Sequence, residues 1–172
     1  MAINYPVAFI LFISLALLFI SFWPAFAGAN WQPTSMKRVR AMLRMARVHA
    51  GDYVYDLGFG DGRIIFTAME EFGAKAGGVE IEPVKFLAAK IYAAWKGLKP
   101  DLKLGSAYGA DFGRASVITI FMSSIAHRLL RKKLENLTKG TKIVTYYWKF
   151  PGWKPLKIDK KLQLYVYEIG KL

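Results

Sequence analysis

The chain has no cysteine, which removes disulfides, thiolate metal ligands and cysteine nucleophiles from consideration. Histidine is almost as scarce. His49 and His127 are too far apart in sequence to suggest a metal pair, and each reads as a surface or helix-end residue, so no metal site is expected. Acidic residues number 12 against 25 Lys and Arg, a formal net charge of +13. No charged side chain precedes Lys37, so the whole excess belongs to the remainder of the chain. Such a surface attracts anionic headgroups and nucleic acid alike, and charge alone does not choose between them. There is no internal repeat and no low-complexity tract, which excludes solenoid and linker architectures.

What the N-terminus has is an uncharged apolar run over residues 7–27, VAFILFISLALLFISFWPAFA. Twenty residues at about 1.5 Å each match the ~30 Å hydrocarbon core of a bilayer, and Tyr5 and Trp23 lie near the two ends as interfacial aromatics do. Ala25, Phe26 and Ala27 resemble a signal-peptide cleavage site, but no Lys or Arg precedes the run, which favours an uncleaved transmembrane helix. Lys37, Arg38, Arg40, Arg44 and Arg47 follow it, so the positive-inside rule predicts a single-pass membrane protein whose following domain is cytoplasmic. The expected organisation is an anchor and linker over residues 1–30 and one domain over residues 31–172.

Within that domain, β-prone and helical segments alternate. Thr34 or Ser35 opens a helix running to about Val48, with a basic stripe beside its apolar one. Strands are expected over residues 53–57, 76–80, 103–104, 117–122, 142–147 and 162–169, and helices to about Phe72, from Pro83 to about Trp95 and from His127 to Leu137. The basic run Arg128, Arg131, Lys132 and Lys133 reads as a solvated helix face. The pattern predicts an α/β fold with an open, mostly parallel, Rossmann-like sheet and an antiparallel terminal pair.

The segment Asp56-Leu57-Gly58-Phe59-Gly60-Asp61-Gly62-Arg63 joins the first strand to its helix, and Glu80 ends the second strand. Ligands of open α/β sheets bind at the carboxyl ends of the strands. Glycines at 58, 60 and 62 permit a tight turn and close approach to backbone, and the Glu80 carboxylate suits the two hydroxyls of a ribose. Dinucleotide fingerprints space their glycines G-x-G-x-x-G; here the spacing is G-x-G-x-G, with acids before and within it. Those acids repel a pyrophosphate and suit a cationic group, which favours S-adenosylmethionine over a nicotinamide dinucleotide.

Taken in order, VYDLGFGDGRIIFTA, GGVEIEP, VITIFM, GTKIVTYYWKFPGWKP and LYVYEIG resemble the archaeal protein-lysine methyltransferases and the related mitochondrial enzymes that modify the ATP synthase c-ring protein and the adenine nucleotide translocase. The resemblance runs from about Trp31 to the C-terminus. It implies a seven-strand class I methyltransferase that uses S-adenosylmethionine and methylates lysine side chains of proteins. Carried over position by position, it implies that Asp56, Gly58, Gly60 and Asp61 hold the methionine end and Glu80 the ribose, that Ser106 reaches the adenine amino group, and that Phe59, Ile81 and Ala107 also belong to the cofactor site. Trp31, Gln32, Pro33 and Thr34 then close over the cofactor. Two departures stand out. Phe59 replaces a small residue and is expected to crowd the pocket, and Ser106-Ala107-Tyr108 replaces an Asn or Asp followed by aromatics.

Tyr146, Tyr147, Trp148 and Trp153 follow the fifth strand, where such enzymes receive substrate, and are expected to wall a lysine channel; about half of them are expected to pack the sheet instead. No residue is singled out as a catalytic acid or base. The expected partner is a protein with an accessible lysine. Amino lipids or small amines are an alternative acceptor, and the alternative to an enzyme is a catalytically weak, membrane-tethered cofactor-binding scaffold. Nucleic acid is disfavoured, because no Asn/Asp-Pro-Pro-aromatic element follows VITIFM.

Overall fold

The computed structural model describes the backbone of residues 5–26 and 33–172 and, in the first stretch, the side chains of 5–16, 18 and 19. Two compact units divide the chain, Met1–Gln32 and Pro33–Leu172. The first contains helix α1, Tyr5–Phe26. Among the described residues no helix is long and apolar enough to cross a membrane. The expected transmembrane anchor is therefore overturned, and the single-pass, cytoplasm-facing placement falls with it.

The second unit is built on a seven-stranded sheet: β1 Tyr53–Leu57, β2 Lys75–Glu80, β3 Asp101–Leu104, β4 Val117–Ile120, β5 Lys142–Tyr146, β6 Lys157–Asp159 and β7 Leu164–Glu168. Strand order is β3-β2-β1-β4-β5-β7-β6. The first five strands run parallel, and β7 is antiparallel to both β5 and β6. Helices α2 Met36–Met45, α3 Arg63–Phe72, α4 Pro83–Trp95 and α5 Ser124–Glu135 complete it. The expected Rossmann-like sheet is present. β6, only three residues long, lies in the Pro-, Gly- and Trp-rich connector between the last two expected strands, where the sequence predicts none.

Both faces of the sheet are covered, which is why its central strands read as continuous apolar runs rather than as alternations. Val54, Ala76, Val117, Val144 and Val166 pack with Val39, Leu43, Ile65 and Ala89 on one face. Tyr55, Leu57, Ile118, Ile120, Ile143 and Tyr167 pack with Phe112, Leu130, Leu134, Phe150 and Trp153 on the other. His127 belongs to this second interior. It is fully buried, its ring centroid 4.6 Å from that of Phe150 and Nδ1 3.0 Å from the Ser123 carbonyl oxygen. Of the two expected placements, surface or helix end, the first is corrected: the helix begins three residues earlier than the pattern suggests, capped by Ser123, and His127, in its first turn, faces inward.

The basic run on α5 is only partly a solvated face. Lys133 donates to the carbonyls of Tyr108 and Ala110, and Arg131 donates to that of Pro151. These bonds fasten the irregular segments before β4 and after β5 to the helix.

Candidate functional site

β1 is flanked by β2 on one side and β4 on the other, so the chain's crossovers diverge there and open a crevice at the carboxyl ends of the strands. Asp56 of β1 is in register with Thr119 of β4. The Thr119 hydroxyl donates to Asp56 Oδ1 at 2.6 Å, and both residues are buried. Burial pushes the Asp56 carboxyl up to about 7; the Thr119 bond opposes the rise, while Glu80 and Asp61 add to it. Thr119 is the functional residue that sequence reasoning missed. Its signal was there: a single hydroxyl inside VITIFM, at the buried position opposite an acid.

The glycine turn leaves β1 with its amides fixed. The N–H groups of Gly58 and Phe59 both donate to the Val79 carbonyl, at 2.9 and 3.2 Å. Gly58, Gly60 and Gly62 have φ of +78°, +59° and +81°, a region that side-chain-bearing residues rarely adopt. At Gly58 an added Cβ would meet nothing nearer than Met122 Cγ at 4.0 Å, so the space above the turn is open. Glu80, nearly fully buried, accepts from Gly60 N–H at 2.7 Å through Oε2 and from Glu82 N–H at 2.9 Å through Oε1. Each oxygen keeps a free lone pair, so the carboxylate is oriented yet still able to accept hydroxyls.

Asp61 is engaged by Arg63. The Arg63 Nε lies 2.9 and 3.0 Å from the two Asp61 oxygens, and Nη2 bonds Oδ2 as well. Burial raises the Asp61 carboxyl, but these hydrogen bonds outweigh it and hold the group below its ordinary value. Arg63 Nη1 also donates to the Thr34 carbonyl at 2.7 Å. Arg63 thereby links the glycine turn to the entry of α2, where Thr34 is buried and Pro33 exposed. Trp31 lies outside the described residues.

Phe59 does not fill the open space. Its ring is 3% exposed within the core beneath the turn, beside Ile65. The room comes from Gly78 of β2, where an added Cβ would lie 3.1 Å from Phe59 Cδ1 and 2.5 Å from the Asp56 carbonyl oxygen. The remaining candidates of the cofactor group are placed separately. Ile81 is 44% exposed at the end of β2, Ser106 is exposed with Oγ accepting from Tyr108 N–H at 3.3 Å, and Ala107 is buried in the second core.

The four aromatic candidates divide. Tyr146, half-buried, packs against Phe121 at the end of β4 with ring centroids 4.4 Å apart, and the Arg38 guanidinium lies 4.6 Å above its ring. Tyr147 and Trp148 are exposed and meet edge to face at 5.0 Å. Trp153 is buried and stacked on Phe150 at 4.3 Å, its indole N–H donating to Glu135 Oε1 at 3.1 Å. The carboxyl ends of β1, β2 and β4 thus gather Asp56, the glycines and Glu80. Tyr146, Tyr147 and Trp148 lie one strand further, at the end of β5.

Asp56, Glu80 and Asp61, with the Arg63 guanidinium committed to Asp61, form an acceptor-rich cradle over an open glycine turn. That acceptor set repels a phosphate and fits a ligand bearing a cation and vicinal hydroxyls. The residues present therefore fit S-adenosylmethionine.

The model of the ANTKMT methyltransferase domain family matches residues 56–157. The chain is 36% identical to a protein-lysine N-methyltransferase of Saccharolobus islandicus, over 81% of this chain and 92% of that protein. It is 33% identical to the mouse lysine N-methyltransferase named for the ATP synthase c-subunit, over 72% of this chain but 50% of that protein. Among solved structures, an RNA methyltransferase from Salinibacter ruber in complex with S-adenosyl-L-homocysteine superposes with a TM-score of 0.77 at 31% identity, over 80% of this chain and 94% of that one.

Proposed function

The chain belongs to the ANTKMT methyltransferase domain family, and from that membership we propose that it transfers a methyl group from S-adenosylmethionine to lysine side chains of proteins. The observation that carries the reading is the pairing of Asp56, buried on Thr119, with Glu80, locked on the Gly60 amide, on either side of an open glycine turn. The cofactor, when bound, supplies an electrophilic methyl on a sulfonium. What this chain supplies is position and environment. Asp56 offers a carboxylate for the methionine amino group, Glu80 accepts from the ribose hydroxyls, and the Gly58 and Gly60 backbone admits the ligand closely. Asp61 acts through Arg63, holding the Pro33–Thr34 entry against the turn rather than holding the ligand itself.

Transfer to an amine is an in-line displacement, so alignment is the main requirement. The acceptor must lose its proton first. Holding a lysine of reference pKa near 10.4 neutral at pH 7 costs about 4–5 kcal/mol. Desolvation against Phe121 and the Tyr146–Trp148 aromatics opposes the ammonium and reduces that cost. The proton leaves to solvent before capture of the methyl group, so no protein base is required at the acceptor nitrogen.

The Salinibacter ruber structure favours one second reading, methylation of RNA. Against it, the segment after β4 is Phe121-Met122-Ser123-Ser124, without the Asn/Asp-Pro-Pro-aromatic set that positions a base amine. Incubating the protein with methyl-labelled cofactor and a cell extract, then separating protein, RNA and lipid, decides between them. Label on protein that acid hydrolysis returns as methyllysine is the expected result. Label confined to RNA or lipid would refute the proposal.

A further inference from the structure

The backbone at Tyr147 is unusual. Trp148 N–H donates to the Tyr146 carbonyl two residues back, at 2.8 Å, and Tyr147 between them has φ of +67°. An i to i+2 hydrogen bond around a residue of positive φ is a γ-turn of the strained hand. A bulky aromatic residue there is a genuine outlier, and such outliers persist only where the surroundings impose them. The surroundings do so here. Tyr147 N–H donates to the Gln163 carbonyl at 2.9 Å, extending the β5–β7 ladder to the residue at which the chain bends.

The bend turns two large rings outward. Tyr147 is 50% exposed and Trp148 39% exposed, while Tyr146 before them and Phe150 after them pack inward. The ring of Tyr146 already has its cation, Arg38, and the Trp153 indole N–H is committed to Glu135. Among the described residues no cation lies over Tyr147 or Trp148. These rings stand at the carboxyl end of β5, beside the end of β4 and its Phe121.

We propose that the γ-turn at Tyr147 is a strained positioning device that presents Tyr147 and Trp148 as a preformed platform for the alkylammonium side chain of the acceptor. The inference rests on the lysine reading above and deepens it. Aromatic faces held rigid and half-desolvated attract an ammonium and pack on its methylene stem. The strain is the cost of keeping them from collapsing onto the sheet.

Two signatures test this, one for the strained turn and one that a merely structural turn would not show. The first is a sign inversion. Glycine normally destabilises relative to alanine, yet at a strained positive φ it relaxes the backbone. Tyr147→Gly should therefore melt above Tyr147→Ala, by about 2–4 °C for a chain of this size. The second is ammonium recognition. With S-adenosyl-L-homocysteine present, an acetylated and amidated Ala-Ala-Lys-Ala-Ala peptide is titrated into the full chain to millimolar concentration. The Trp148 indole resonance, assigned with Trp148→Phe, is followed throughout. The wild type and Tyr147→Phe should bind alike, Tyr147→Ala and Tyr147→Gly about two- to fivefold more weakly, and a norleucine analogue should not bind. Tyr147→Gly melting below Tyr147→Ala would overturn the strained turn. Equal peptide affinity in all four proteins, no binding, or equal binding of the norleucine peptide would overturn the platform. Failure of the wild type to bind S-adenosyl-L-homocysteine would instead remove the methyltransferase reading beneath it.

Discussion

Asp56 makes cofactor affinity depend on pH near neutrality. Its carboxyl titrates at about 7 in the free protein because burial disfavours the charge, with Glu80 and Asp61 adding to the rise against the Thr119 bond. A cationic amino group placed beside it binds the ionised form. With that pKa, roughly one molecule in ten is ionised at pH 6 and roughly nine in ten at pH 8, so the apparent affinity for S-adenosylmethionine should tighten about tenfold between those values. Calorimetry in two buffers of different ionisation enthalpy measures both the affinity and the accompanying release of about half a proton per site at pH 7. Stability of the free protein moves the other way. The folded-state pKa lies above the unfolded one, so the contribution from Asp56 is fully present below about pH 4 and is lost as pH rises through 7, with a ceiling of ~4 kcal/mol. Asp56→Asn should flatten the affinity profile, weaken binding at pH 8 and leave the free protein more stable than the wild type at that pH. An affinity that is flat from pH 6 to 8 in the wild type would refute the reasoning.

Thr119→Val removes the donor that opposes the rise at Asp56. The midpoint of the affinity profile should move to higher pH, read by the same calorimetry, with a loss at neutral pH of about 1–3 kcal/mol for the unsatisfied carboxylate. Gly78→Ala sets a Cβ 2.5 Å from the Asp56 carbonyl oxygen and 3.1 Å from the Phe59 ring. The β1–β2 pairing must shift, and chemical denaturation should show a loss of about 2 kcal/mol or more. Trp153→Ala, buried between Phe150 and Tyr167, should cost about 3–5 kcal/mol of stability. At a temperature where the variant is folded, its KM for acceptor should stay within a factor of two of the wild type.

The sheet was legible because its cause is local. Apolar runs of four to six residues separated by amphipathic helices can bury both faces only as a parallel sheet, and β1, β2, α4 and β5 all lie within a residue or so of their expected bounds. β6 was not legible, since three residues reading Lys-Ile-Asp carry no period and gain their pairing from β7. Similarly, His127 was misplaced because starting α5 at Ser124 moves it from the rim of the helix to the end of its first turn. There it shares the apolar face with Leu130 and Leu134, at the spacing that helical periodicity sets. Of the site, Asp56, the glycines and Glu80 could be read from type and order. The division of labour between the acids could not. Arg63 neutralises Asp61 and Thr119 supports Asp56 through contacts between residues that the sequence sets two apart in one case and 63 apart in the other.

Phe59 shows how a local departure from a motif is resolved by a neighbour in space. Read in sequence, a large ring inside a cofactor turn predicts a blocked pocket. In the fold the turn points its backbone, not its side chains, at the open crevice, and the side chain at 59 is directed beneath it toward β2. The strand there carries Gly77 and Gly78 in succession, a costly pair in a buried strand. Each glycine answers a specific neighbour: Gly77 the Tyr53 hydroxyl and the Asp101 carbonyl, Gly78 the Asp56 carbonyl and the Phe59 ring. A Phe59→Ser substitution, which restores the small residue, would therefore open a cavity in the core rather than enlarge the cofactor crevice. It should lower stability by about 3–5 kcal/mol and leave the affinity for S-adenosylmethionine within about twofold, measured on the folded fraction. Tighter cofactor binding in that variant would show instead that the ring does intrude on the ligand.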